Sequence, residues 1–325
     1  MLHVRMLVPT DLLAQVLALI DATVGVADIS IVKGAARLPA GDLVEFEAAR
    51  ECADGLFDAL AEIGIGERGA ISVQEVDLAL SSGAREAQRQ APGNATDAVI
   101  WDEVEARTGD DAALTGTFVT FLTIATLLAG IGIVTDSAVT VVGAMVVGPE
   151  FGPLAAIAVG LARRRIRLAR RGLIALVVGF PIAMVITALA TVLAVHTGLA
   201  SDDLVELNTQ TEFIYKPGVL SLIVALLAGA AGMLSLTSKN SAALVGVFIS
   251  VIGHHGSGGG YVAVGGVLGE WSQVWGSAVQ LLINLAGIVV AAVAMLLARR
   301  WGHRFNNRTG NLFDPDRRRR TPFRS

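Results

Sequence analysis

An internal repeat in the apolar second half of the chain limits the folds open to it. In the first copy the sequence LLAG begins at Leu127 and DSA follows at Asp136. In the second copy LLAG begins at Leu226 and NSA follows at Asn240. Two copies that cross a membrane in opposite senses make the inverted repeat of many transporters. The pattern therefore predicts a membrane fold built from two related halves.

Each copy then enters an apolar stretch that small or helix-breaking residues interrupt. The first interruption is GPEFGP at residues 148–153, and the second is GHHGSGGG at residues 253–260. In inverted-repeat transporters, discontinuous helices hold the substrate and the coupling ion near the bilayer midplane. The two interruptions are thus the first place to expect a binding site.

Composition divides the chain into two parts. Hydrophobic residues make up 53% of the sequence, which is typical of several membrane spans. Residues 1–113 hold 8 basic and 20 acidic side chains, whereas residues 114–325 hold 17 basic and 9 acidic ones. The first part is therefore predicted to be an acidic soluble module. Because phosphate would repel it, nucleic acid is excluded as its partner.

Residues 1–80 show alternating strand and helix patterns. Strands are predicted at 2–8, 26–32, 43–48 and 70–78, and helices at 12–23 and 53–63. The order β-α-β-β-α-β predicts a ferredoxin-like α+β domain on the cytosolic side. It carries no phosphate loop, no metal-ligand spacing and no nucleophile–base pair. Packing and oligomerisation, or ligand sensing, are the roles left open.

Residues 81–113 are predicted to connect this module to the membrane. Residues 81–96 have the composition of a linker, and residues 97–107 predict a short interfacial helix. Trp101 is expected at the membrane interface, where aromatic rings settle.

Residues 114–298 are predicted to be an α-helical polytopic membrane domain. A bilayer core requires about 20 apolar residues per helix. Six candidate spans meet this length, at 114–135, 137–161, 172–196, 218–236, 241–269 and 273–298. The second and fifth spans contain the interruptions. Residues 114–197 and 218–298 then form an inverted 3+3 repeat, and residues 299–325 form a basic cytosolic tail.

Basic residues set the predicted orientation. Six arginines separate spans two and three, namely Arg163, Arg164, Arg165, Arg167, Arg170 and Arg171. The positive-inside rule makes this segment cytoplasmic, and the acidic loop 198–217 is then external. Both termini are expected in the cytoplasm, in a multi-pass protein of the inner (plasma) membrane. The arginines either bind anionic lipid or serve as a topology signal only.

Short motifs in a fixed order resemble a bacterial and archaeal membrane-protein family, domain of unknown function 389. In the first half they are DSA at 136–138, GAM at 143–145 and the Pro149–Pro153 break. In the second half they are Ser241-Ala242, Glu270-Trp271 and NLAGI at 284–288. The resemblance runs from about residue 114 to 295 and implies a membrane core with a cytosolic appendage. It implies no activity. Family members usually have proline in the fifth span, where this chain has His254, His255 and glycines.

Glu150 is the main candidate for chemistry. It lies between Pro149 and Pro153, each of which removes a backbone donor and disrupts a helix. An ionisable side chain within a span is costly and by default indicates function, here proton exchange or cation binding. In the alternative reading, the helix unwinds near the cytoplasmic face and Glu150 reaches water.

Two further pairs are candidates for the same ion or substrate site. His254 and His255 occupy the matching position in the second repeat, either as titrating partners of Glu150 or as part of a solvated loop. Gln280 and Asn284 share one face of span six, where they either line a pathway or join helices by hydrogen bonds. Two adjacent histidines and one glutamate are too few to predict a metal site, and nothing indicates a cofactor.

These observations favour a transporter- or channel-like protein, assembled or regulated by its cytosolic module as a homo-oligomer. Its solute would be a small ion or small molecule, and lipid is its other partner. The alternative is a membrane-anchored sensor or assembly scaffold without transport activity. No catalytic motif is present, so an enzyme is not expected.

Overall fold

The computed structural model describes residues 1–76, 78–93, 98–199, 219–237, 254–268 and 271–309. They form two compact units. Residues 1–102 make up most of the first, and most of the second lies between Glu103 and Arg299.

The first unit is a four-stranded antiparallel sheet with helices. Its elements are β1 (Leu2–Val8), α1 (Leu13–Ala22), β2 (Val26–Arg37), β3 (Ala40–Ala48), α2 (Arg50–Glu62), α3 (Ile65–Arg68) and β4 (Ala70–Glu75). The strand order is β2-β3-β1-β4, and β1 pairs antiparallel with both β3 and β4. This is the split pairing that the β-α-β-β-α-β order predicts.

Alternating side chains of the central strands form the core of this sheet. Leu2, Val4, Met6 and Val8 of β1 are buried, as expected for a strand with one face against helices. They pack in one cluster with apolar residues of α1 and α2. The β2–β3 turn is shorter than predicted, because β3 already begins at Ala40. A Cβ on Gly41 would lie 2.8 Å from the carbonyl carbon of Val8, so only glycine allows this pairing.

The segment predicted as a linker contains a helix, α4 (Ser82–Gln90). Ser81 caps it by accepting a hydrogen bond from the backbone N–H of Ala84. Ala84 and Ala87 are buried, and α4 contacts β2 and β3. The small side chains of a short polar helix thereby extend the core, which the composition of the segment does not reveal.

Trp101 is not at an interface with lipid, contrary to the prediction. Its ring is only 4% exposed, and its backbone N–H donates to Asp54 Oδ1 at 3.2 Å within the first unit. The neighbouring Ile100 belongs to the core of that unit. The prediction rested on the residue type of Trp101 alone, whereas its position in the structure follows from its contact with Asp54 of α2.

The second unit is helical. Its helices are α5 (Trp101–Asp111), α6 (Gly116–Val134), α7 (Ala138–Val147), α8 (Phe151–Ala162), α9 (Ile166–His196), α10 (Val219–Thr237), α11 (His254–Leu268) and α12 (Trp271–Thr309). Three stretches are long and apolar enough to cross a membrane: Gly116–Val134, Ile166–His196 and Val274–Trp301. The helices thus fit a membrane protein, while the six spans and the inverted repeat stay predictions.

Burial on α9 has the pattern expected of a helix that faces lipid. The buried positions are mostly small or hydroxyl-bearing, such as Gly172, Ala183 and Thr187, whereas large apolar residues such as Val177 and Leu193 are exposed. Small residues allow close helix approach in membranes. An apolar surface of this extent in water would be strongly unfavourable, so lipid is its natural environment.

Close contacts show how α9 runs beside α6 and α8. Near the start of α6, a Cβ on Gly179 would lie 2.8 Å from Phe118 Cε1. Further along, Thr187 Oγ1 donates to Thr126 Oγ1 at 2.9 Å, so the two helices run in the same direction. The first turns of α9 pack against α8, where a Cβ on Gly172 would lie 3.2 Å from the carbonyl carbon of Pro153.

Candidate functional site

The predicted interruption of the second apolar stretch is present. Helix α7 ends at Val147 and α8 begins at Phe151, so Gly148, Pro149 and Glu150 form a break between two short helices. Pro149 has no N–H to donate, and proline disfavours helical geometry in the residue before it. The local sequence therefore ends α7 at this point.

Glu150 is fully buried at the break, with 0% of its side chain exposed. Its carboxylate folds back over Gly148, where a Cβ would lie 2.8 Å from Glu150 Cδ. The reading in which Glu150 reaches water does not describe this conformation. Pro153 is also buried, one turn into α8.

The break lies level with the start of α6. On α9, Gly172 packs beside Pro153 of α8, and Gly179, seven residues later, packs beside Phe118 of α6. At 1.5 Å per residue, Pro153 is about 10 Å from Phe118 along the axis of α9. Helix α8 runs antiparallel to α9, since a Cβ on Gly160 would lie 3.0 Å from Ala169 Cα, so the break that precedes α8 lies back toward the level of Phe118. The break is therefore near one end of the apolar helices, as in the reading in which the helix unwinds near a membrane face, and not midway, as the binding-site reading expected.

A cleft of ≈ 400 Å³ opens beside the break. Its walls come from the end of α5, the first turns of α6 and the break itself. They are formed by Asp110, Asp111, Ala113, Thr115, Thr117, Phe118, Phe121, Gly148, Pro149, Phe151 and Gly152. Gly152 allows the close approach of α5, since a Cβ there would lie 2.7 Å from Asp111 Cβ. Acidic and hydroxyl side chains thus line the cleft together with the residues on either side of Glu150.

The histidine–glycine run is helical from His254 onward, and not a loop. A Cβ on Gly260 would lie 2.8 Å from Ala129 Cβ, and one on Gly259 would lie 3.4 Å from Thr126 Cγ2. The glycines therefore let α11 pack closely on α6, which explains why so flexible a sequence is ordered here. The side chains of His254 and His255 lie outside the part that the structure describes.

Gln280 and Asn284 are buried side by side on α12, with 4% and 2% of their surfaces exposed. Gln280 Nε2 donates to Asn284 Oδ1 at 3.3 Å. Ser277, one turn earlier on the same face, is also buried. No motif marks Ser277 in the sequence, although its spacing from Gln280 and Asn284 places it on their face of the helix.

The arginine segment (residues 163–171) consists of a short turn and the first turns of α9. Arg163 donates from Nε to Glu105 Oε1 at 3.0 Å, and both side chains are largely shielded. The other five arginines are exposed. The structure brings α5 to this segment through Glu105, a residue that no sequence motif marks.

Within the described residues, no group of three His, Cys, Asp or Glu side chains is arranged to hold a metal ion. Three helices of the second unit are long and apolar enough to cross a membrane, so the fold fits the class of membrane proteins. Residues 145–290 match the family described as "Domain of unknown function (DUF389)", which confirms the resemblance seen in the motifs. The match begins at Met145, so the DSA motif and the N-terminal module lie outside it. No curated protein and no solved structure matches the chain.

Proposed function

We propose that this protein moves a small ion or solute across the plasma membrane, with Glu150 at the site where the solute is bound or a proton is exchanged. The observation that carries the proposal is a fully buried carboxylate at a helix break among apolar helices. Burial of a carboxylate is unfavourable unless its environment compensates for the lost hydration. Such a residue is therefore a functional group by default.

The surroundings of Glu150 support this role. The cleft at the break offers Asp110, Asp111 and threonine side chains at the end of α6 that we propose to be cytoplasmic. Acidic groups at the entrance to a narrow site raise the local concentration of cations. A proton or a small cation is accordingly the solute that this end of the protein favours.

The cytosolic module is proposed to assemble or regulate the membrane domain in a homo-oligomer, with both termini in the cytoplasm. Its separate core supports an independent role. The exposed arginines of the arginine segment are proposed to contact anionic lipid headgroups, which attract basic residues next to the membrane.

Flux measurements on reconstituted vesicles test the transport role. Glu150→Gln preserves the shape of the side chain and removes its charge, so it should leave assembly intact and abolish pH- or cation-dependent flux. Asp136→Asn is the matched control, because Asp136 has a positive φ of 44°, which asparagine also adopts readily. This variant should keep the flux.

A membrane-anchored sensor or assembly scaffold is the second candidate. It is favoured by the ordered N-terminal unit with its own sheet and core. If the wild-type protein shows no flux under proton, sodium or potassium gradients, or if Glu150→Gln leaves the flux unchanged, the scaffold becomes the better account.

A further inference from the structure

The buried face of α12 carries three polar side chains where an apolar face would be expected. Ser277, Gln280 and Asn284 fall at i, i+3 and i+7, which places them on one side of the helix. All three are buried. We call them the α12 polar face.

Hydrogen bonds within the described part of the protein do not satisfy this face. Neither Ser277 Oγ nor Gln280 Oε1 has a partner among the residues that the structure describes. A buried polar atom left without a partner costs about 1–3 kcal/mol. A site that is polar and roomy enough takes up water instead, since a buried water typically makes about three hydrogen bonds.

Exposed tryptophans at the two ends of the apolar stretch Val274–Trp301 of α12 indicate the depth of this face. Trp275 is 74% exposed and Trp301 is 77% exposed, and 26 residues of helix separate them by about 39 Å. That span is close to the thickness of a bilayer with its interfaces, about 40–45 Å, where tryptophan settles. Asn284 then lies about 6 Å from the midpoint, and Ser277 about 16 Å from it toward the Trp275 end.

We infer that the α12 polar face lines a hydrated route that leads from the Trp275 end of α12 to near the middle of the membrane. Its hydroxyl and amide groups offer hydrogen-bond donors and acceptors and no net charge. The route therefore suits water and small uncharged polar solutes. This inference deepens the proposed function by adding a second, uncharged section to a path whose other end carries Glu150.

Cysteine accessibility in the membrane-embedded protein tests the route without any knowledge of the natural solute. Cys52 is buried in the first unit and is the one native cysteine, so Cys52→Ala gives the background. Single cysteines replace Ser277, Gln280 and Asn284 in turn. A methanethiosulfonate reagent reacts with the thiolate, which forms readily in water and poorly in an apolar medium.

Two positions on the same helix serve as controls. Leu282 lies at the same depth and is 66% exposed on the outer surface of the helix, whereas Ile288 is buried among apolar residues. Cysteines at Gln280 and Asn284 should react at least about tenfold faster than cysteines at either control position, because only a hydrated thiol ionises. Equal rates would overturn the route, and so would reaction at Ser277 alone.

Reagent charge tests the proposed class of solute. The neutral hydroxyethyl reagent should label Asn284→Cys faster than the trimethylammonium and sulfonate reagents, after correction for their rates with a free thiol. If a charged reagent is as fast as the neutral one, the uncharged-solute assignment is wrong.

Replacing Gln280 and Asn284 together with leucine separates a wet face from a dry one, because the double change leaves neither amide without its partner. In a dry core it removes the unsatisfied Gln280 oxygen and should raise the melting temperature. In a hydrated route it should leave the melting temperature unchanged or lower it, and Gln280→Leu should slow the labelling of Asn284→Cys. A higher melting temperature would overturn the inference. Because labelling does not depend on Glu150, a failed route and a failed Glu150 site give different results.

Discussion

The carboxylate of Glu150 occupies the space that a side chain on Gly148 would need. A Cβ on residue 148 would lie 2.8 Å from both Cδ and Oε1 of Glu150, which is closer than real Cβ contacts allow. Gly148→Ala must therefore displace the carboxylate. We expect it to destabilise the protein by about 1–3 kcal/mol, as overpacking does. Thermal unfolding in detergent, followed by gel filtration, measures the change.

Gly143→Ala is the control for this prediction, because a Cβ at Gly143 on α7 meets no atom of the described residues within 4 Å. It should be neutral or slightly stabilising, as alanine is favoured over glycine in a helix. The double variant Gly148→Ala, Glu150→Ala should recover part of the loss, since the colliding group is gone. Equal melting temperatures for Gly148→Ala and Gly143→Ala would contradict the observed arrangement.

The ion pair of Arg163 with Glu105 is expected to hold α5 against the turn before α9. Both side chains are largely shielded and their atoms are 3.0 Å apart, so the pair should contribute more than an exposed one. We expect Arg163→Gln to lower stability by about 1–2 kcal/mol. Arg167→Gln removes an exposed charge from the same segment and should change it by less than about 0.5 kcal/mol. Similar losses in the two variants would indicate a general charge effect.

The N-terminal module is expected to fold alone when it extends to residue 102, and to be less stable when it stops at residue 80. Ala91 and Ile100 belong to its core, and Arg50 Nε donates to the carbonyl of Ala98 at 3.2 Å. The shorter fragment lacks these partners. Urea unfolding of both fragments checks this, and a midpoint that is the same for both would show that the added residues do not stabilise the module.

The predicted topology places Ser82 inside the cell and Ser201 outside. This follows from the arginine segment and from the acidic loop 198–217. In the Cys52→Ala background, an impermeant thiol reagent added to intact cells should label Ser201→Cys, and label Ser82→Cys only after permeabilisation. The reverse labelling pattern would invert the orientation of every span.

The periodicity of apolar residues was sufficient to predict most of the secondary structure of the first unit. Alternation in residues 2–8 and in the following strands predicted β1 to β4 and their order, because a half-buried strand must alternate its side chains. It did not reveal α4, whose few buried alanines leave no apolar stripe. It also placed Trp101 at the membrane, because residue type alone does not distinguish a buried aromatic ring from an interfacial one.

In the second unit, local chemistry predicted the break and the long apolar helices. The prolines and glycines at residues 148–153 interrupt the helix through their own backbone geometry. The length of an apolar segment indicates whether it can span a membrane. The predicted interruption of the fifth span stays a prediction, because the residues just before His254 lie outside the described part and only the run from His254 onward is seen to be helical. The glycines of that run favour a loop locally, but they form a helix where α11 packs against Ala129.

The sequence by itself determined the strands and helices of the module in their order along the chain, the apolar helices and the position of the break, because each depends on neighbours along the chain. Only the tertiary structure decided that Glu150 is buried, that the break lies level with the start of α6, and that Glu105 pairs with Arg163. These relationships join residues tens of positions apart. They depend on how helices pack against one another, and helix packing is fixed by the whole set of facing side chains rather than by any local pattern.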